Sequence, residues 1–92
     1  MNENLKAKDF YEYKIKLLNL IQKLPSGKDK LDFLRAIDVM RLLFSQYDSS
    51  CVESRVRPSV RNTQITEKKY KAYMNFRDEI ATSLTLAILF KT

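Results

Sequence analysis

Helix breakers are nearly missing from this chain. Its 92 residues contain one glycine, Gly27, and two prolines, Pro25 and Pro58. An all-β sandwich or barrel turns roughly every eight to twelve residues and needs Gly, Pro and Asn to do so. So few turn formers predict long helices joined by few connections. The length fits one domain over residues 1–92, since single cores usually take about 100–200 residues. A chain this short buries only about 60–65% of its unfolded surface, which leaves stability dependent on good packing or self-association. At 45% hydrophobic and 30% charged residues, the composition is that of a globular chain rather than a disordered one.

Hydrophobic spacing places the helices. Phe10, Tyr13, Leu17, Leu20 and Leu24 recur at three- and four-residue steps, widened by Leu18 and Ile21, which predicts a helix over about 4–24. Pro25 ends it, because proline disfavours helical geometry in the residue before it and carries no amide hydrogen. Ser26 with Asp29 three residues on resembles an N-cap and its acidic partner. A second helix is expected over about 28–47, with Phe33, Ile37, Met40, Phe44 and Tyr47 as its apolar stripe. Its other face, Asp32, Arg35, Asp38, Arg41 and Ser45, alternates in charge as a solvated helix surface does.

Residues 48–65 are too many for a structureless loop in a small domain. Ser50 and Glu53 form an S-x-x-E capping box, which predicts a short helix over about 51–57 stopped by Pro58. A short extended piece through Arg55-Val56-Arg57 competes with it. Val52, Val56 and Val60 repeat every four residues, as an apolar edge touching the core would. The last helix is expected over about 66–89, capped by Thr63 or Thr66, with Tyr70, Tyr73, Phe76, Ile80 and Leu84 facing inward. The expected fold is all-α: a compact bundle of three long helices plus one short helix, with up-down connectivity. Phe10, Leu17, Leu20, Ile37, Met40, Phe44, Phe76, Ile80 and Leu84 are the expected core.

The catalytic inventory is short. Histidine is absent, and Cys51 is the only cysteine, so a disulfide framework is excluded and a reactive thiol lacks its usual base. Gly27 stands alone, far from a Gly-rich phosphate loop. Asp29 with Asp32, and Asp78 with Glu79, lie among basic residues rather than in a carboxylate pair of the kind acid–base chemistry uses. The reading is a non-enzyme with no cofactor and no metal. The polar start MNENLKAKD does not resemble a signal peptide, which points to the cytoplasm. Ile80–Phe90 is apolar but too short for a membrane span of about 20 residues.

One stretch carries functional weight. Between Arg55 and Lys71 lie Arg55, Arg57, Arg61, Lys68, Lys69 and Lys71 against the single acid Glu67, so this segment holds +5 of a net +6. Such residues neutralise phosphates, while Asn62 and Gln64 add side chains able to read base edges. Tyr70 and Tyr73 either stack on bases or belong to a core stripe. The expectation is a small basic regulatory protein that binds an anionic macromolecule, with nucleic acid first, through Arg55, Arg57, Arg61, Asn62, Gln64, Lys68, Lys69 and Lys71. The alternative partner is an acidic protein surface, as for an inhibitor, an immunity protein or a chaperone-like adaptor. Pairing Cys51–Arg57 with the last helix leaves too long a gap for a helix-turn-helix. Leu84, Ala87, Ile88 and Phe90 are the expected contact of a homodimer. Neither a membrane nor a small-molecule substrate is expected as a partner.

Overall fold

The computed structural model describes residues 5–91 and is all-helical over them, with three helices. They are α1 (Ala7–Ile21), α2 (Lys28–Val56) and α3 (Val60–Lys91). The expected start of the first helix at Asn4 lies outside the described residues. Among those described, α1 begins after Lys6, whose backbone N–H donates to the Asp9 carboxylate at 2.9 Å. α-Helical geometry ends at Ile21, and the chain tightens through i→i+3 bonds from Lys23 and Leu24 before Pro25 turns it away. Gly27 rather than Ser26 stands at the N-cap of α2, with φ 150° and ψ −162°. A side chain is strained in that backbone conformation, which explains the single glycine of the chain.

The expected short helix is the last part of α2. Residues 48–56 contain no Gly or Pro, so nothing interrupts the i→i−4 ladder, and the S-x-x-E signal at Ser50 lies inside a continuous helix. α3 likewise starts at Val60, earlier than the expected residue 66. Ser59 is its cap: the Oγ accepts the Asn62 N–H at 3.0 Å and the carbonyl accepts the Thr63 N–H at 3.0 Å. Only Arg57, Pro58 and Ser59 separate the two long helices. They run antiparallel, since Ser54 meets Thr66, Tyr47 meets Tyr70 and Phe44 meets Tyr73.

Aromatic rings join α1 to this hairpin. Phe10 stacks on Phe44 at 5.0 Å between centroids and lies 6.4 Å from Tyr73, while Phe44 meets Tyr73 edge-on at 5.6 Å. Ile21, Leu24, Leu17, Ile37, Met40, Ile80 and Leu84 extend the core toward the opposite end. Of the expected core, Leu20 and Phe76 are only partly buried but pack against it.

Helices of 29 and 32 residues are about 44 and 48 Å long. They account for the 49 Å long axis of a molecule only 20 by 18 Å across. α1, with 15 residues, is about half as long. The residues at its start share a groove with Tyr47, Cys51, Ser54, Arg55, Thr63 and Thr66, so of the described residues the α2–α3 connection itself lies beyond α1. The valines there are therefore not a core edge: Val52, Val56 and Val60 are all exposed, Val60 at 75%.

Candidate interface at the helical hairpin tip

The projecting turn is built from a hydroxyl network. Thr66 is buried, and its hydroxyl, with one proton to give, lies within hydrogen-bond distance of the Ser54 hydroxyl at 2.9 Å and of the carbonyls of Asn62 at 2.9 Å and Ser50 at 3.2 Å. Ser54 also reaches the Asn62 carbonyl at 3.2 Å. Asn62 Nδ2 donates to the Arg57 carbonyl at 2.6 Å, at the end of α2, where helix carbonyls lack intrahelical partners. Three short polar side chains thus fasten α2 to α3 where no apolar core does so.

On this scaffold the basic residues are solvent-facing. Arg55, Arg57 and Arg61 are all exposed at the tip. The only ion pair of the three among the described residues is Arg57 to Glu53, at 3.9 Å and well exposed, a type of pair that adds little to stability. At 100° per residue, Arg61, Gln64, Lys68 and Lys71 fall within about 80° of one another on α3. The buried residues Thr66, Tyr73, Ile80 and Leu84 lie on the opposite side. The structure therefore brings Arg61, Gln64, Lys68 and Lys71 into one stripe that runs into the arginines of the tip. Lys69 is half-buried and lies beside the buried face rather than in the stripe. Asn62 is half-buried and its amide nitrogen is taken up by the turn, so its position is that of a fastening rather than a base reader.

Continuing along that same face, the stripe changes character. Asn75 is followed by Asp78 and Glu79, then Thr82, and finally the exposed Leu86 and Leu89, beside Phe90 at 84% exposure. Glu79 also shares a groove of about 360 Å³ with Asp29 and Asp32. This face of α3 is thus basic near the turn and acidic at Asp78 and Glu79.

Tyr73 is fully buried and Tyr70 half-buried, 5.5 Å from the Tyr47 ring, so of the two readings of this pair the core stripe holds and the stacking platform does not. The expected dimer contact changes. Leu84 is fully buried within its own chain, and Ala87 and Ile88 pack against the core. Of the residues expected to meet a second copy, only Phe90 is openly exposed.

Sequence reasoning missed the groove beside the tip. It has a volume of about 570 Å³ and lies between the start of α1 and the two long helices. Lys6 and Arg55 line it together with Asp48, Cys51, Ser54 and Thr63. No local pattern announces it, because its walls come from three separate helices. The described residues hold no group of three or more His, Cys, Asp or Glu able to bind a metal ion, and no described helix is long and apolar enough to cross a membrane. No family model, curated protein or solved structure matches this chain.

Proposed function

We propose that this protein is a non-enzymatic, nucleic-acid-binding regulator that docks through its helical hairpin tip. The observation that carries this reading is the exposed stripe Arg61, Gln64, Lys68 and Lys71 on one face of α3, with Arg55 and Arg57 exposed at the adjoining end of α2. From Arg61 to Lys71 the helix rises about 15 Å. That length matches about four phosphates of one strand, spaced by about 3.4 Å along the axis. Lysines on a convex helix face suit phosphate contacts, which position a strand without reading it. Gln64 is the member of the stripe equipped to read a base edge. The positive end of the α3 dipole adds to the field at the tip.

Titration of a fluorescent oligonucleotide tests it. Lys68→Glu with Lys71→Glu should weaken binding at least about tenfold at low salt, while the helical spectrum stays unchanged. Undiminished affinity in that double variant would remove α3 from the contact.

Exposed valines favour a second reading. Val52, Val56 and Val60 sit among the arginines of the tip, and such mixed apolar and arginine surfaces suit protein partners, as in an inhibitor or adaptor. Binding of that kind would depend on the valines and change little with salt.

Self-association fits either reading. The exposed Leu86, Leu89 and Phe90 lie at the pole remote from the tip, so two copies joined there would leave both basic ends free. Sedimentation should give a mass near twice 10.9 kDa at high micromolar concentration, reduced to one by Phe90→Asp. A monomer under those conditions would remove the dimer.

A further inference from the structure

Arg55 is shared between the basic tip and the groove beside it. It is exposed in the last turn of α2 and also lines the groove with Lys6 from the other wall. The groove opens on the side of α3 where Thr63 and Thr66 lie, so a strand held on the Arg61–Lys71 face enters it by passing round the tip at Arg55. The groove's volume of about 570 Å³ falls in the range of about 300–1,000 Å³ typical of sites for small molecules.

Its lining is chemically mixed. Lys6 and Arg55 offer charge to a phosphate, and the Ser54 and Thr63 hydroxyls offer hydrogen bonds. Asp48 supplies a carboxylate acceptor, the kind of group that pairs with an exocyclic amine such as cytosine N4. Leu5 and Ala7 supply apolar surface. A purely anionic ligand would be repelled by Asp48, and an apolar one would leave Lys6 and Arg55 desolvated without partners. A nucleotide matches all three kinds of wall: an anionic phosphate, an amino-bearing base edge and an apolar base face.

We infer that this groove receives one unpaired nucleotide of a bound strand, so that the protein prefers single-stranded over duplex nucleic acid. The inference rests on the nucleic-acid reading of the tip and adds the form of the ligand to it. In a duplex each base is stacked and paired, and moving one into the groove would first cost its unstacking. An unpaired strand carries no such cost.

Cys51 makes the test specific, because it lines the groove and is the only thiol in the chain. Its rate of reaction with a maleimide is measured alone, with saturating single-stranded oligo(dC), and with a saturating duplex of the same length. Fluorescence anisotropy confirms that each ligand is bound. The single strand should slow Cys51 at least about tenfold and the duplex much less. A second variant, Thr63→Trp, fills the groove without removing a charge. It should abolish the preference for the single strand while leaving the salt dependence of duplex binding intact. Bound ligand with Cys51 unprotected, or equal protection by both forms, would overturn the groove assignment and leave the basic tip standing. Absence of binding by either form would overturn both.

Discussion

Tyr73 and Arg77 set a cost inside the seam between α1 and α3. The Tyr73 hydroxyl and Arg77 Nε are buried with no hydrogen-bond partner among the described residues. Arg77 is nevertheless held, because its guanidinium lies 4.3 Å from the centre of the Tyr13 ring and its Nη2 reaches Asp78 Oδ1 at 3.4 Å. Burial raises the Tyr73 pKa above 10.0, and nearby Arg77 opposes that rise only in part. A phenol whose pKa is raised by folding gives full stability below pH 10.0, and that stability is lost as pH rises toward the folded value, because the unfolded chain releases its proton first. Tyr73→Phe removes both the unpaired hydroxyl and this linkage. It should melt at the same temperature as the wild type or slightly higher at pH 7, gaining up to about 1 kcal/mol, and should lose less stability than the wild type between pH 9 and 11. A lower melting point at pH 7 would mean that the hydroxyl has a partner. Neither orphan was legible in the sequence, because a tyrosine in an apolar stripe reads the same whether its oxygen is satisfied or not.

At the scale of the elements, the two long helices are joined by polar side chains where the core has ended. Asn62 is the centre of that joint: its amide caps the Arg57 carbonyl, and its own carbonyl lies within hydrogen-bond distance of the Ser54 and Thr66 hydroxyls. Asn62→Ala should therefore destabilise the protein by about 1 kcal/mol and speed hydrogen exchange in residues 54–66 more than elsewhere, as thermal melting and exchange together would show. Equal exchange along the whole chain would mean that the turn is not separately fastened. Helix positions and most core residues were readable because apolar spacing is local, and Phe10, Leu17, Ile37, Met40, Phe44, Ile80 and Leu84 are all buried where their stripes predict. Boundaries near the turn were not. A capping box at Ser50 is permissive and starts no helix where the preceding turn is already helical. The true cap, Ser59, follows directly on Pro58, and that Pro-Ser pair was the available signal. Val52, Val56 and Val60 misled because regular spacing tells which face residues share, not whether another element reaches far enough to cover it.

Taken as a whole, the molecule is a rod about 49 Å long whose shape follows from unequal helix lengths. Because α1 is shorter than α2 and α3, the described residues leave the α2–α3 connection uncovered, and Arg55, Arg57 and Arg61 are exposed there. Exposed cations gathered on one face steer anionic partners toward that face. The arginines of the tip make no contact that the fold depends on, so their removal separates binding from stability. The direct measurement is the affinity for an oligonucleotide across a series of salt concentrations, for the wild type and for a variant with Arg55, Arg57 and Arg61 all changed to Ala. Each lost phosphate contact should lower the log–log salt slope by about 0.7–0.9, so the variant should lose about two to three units with its melting temperature nearly unchanged. An unchanged slope, or binding that salt does not weaken even in the wild type, would contradict a nucleic-acid interface at the hairpin tip.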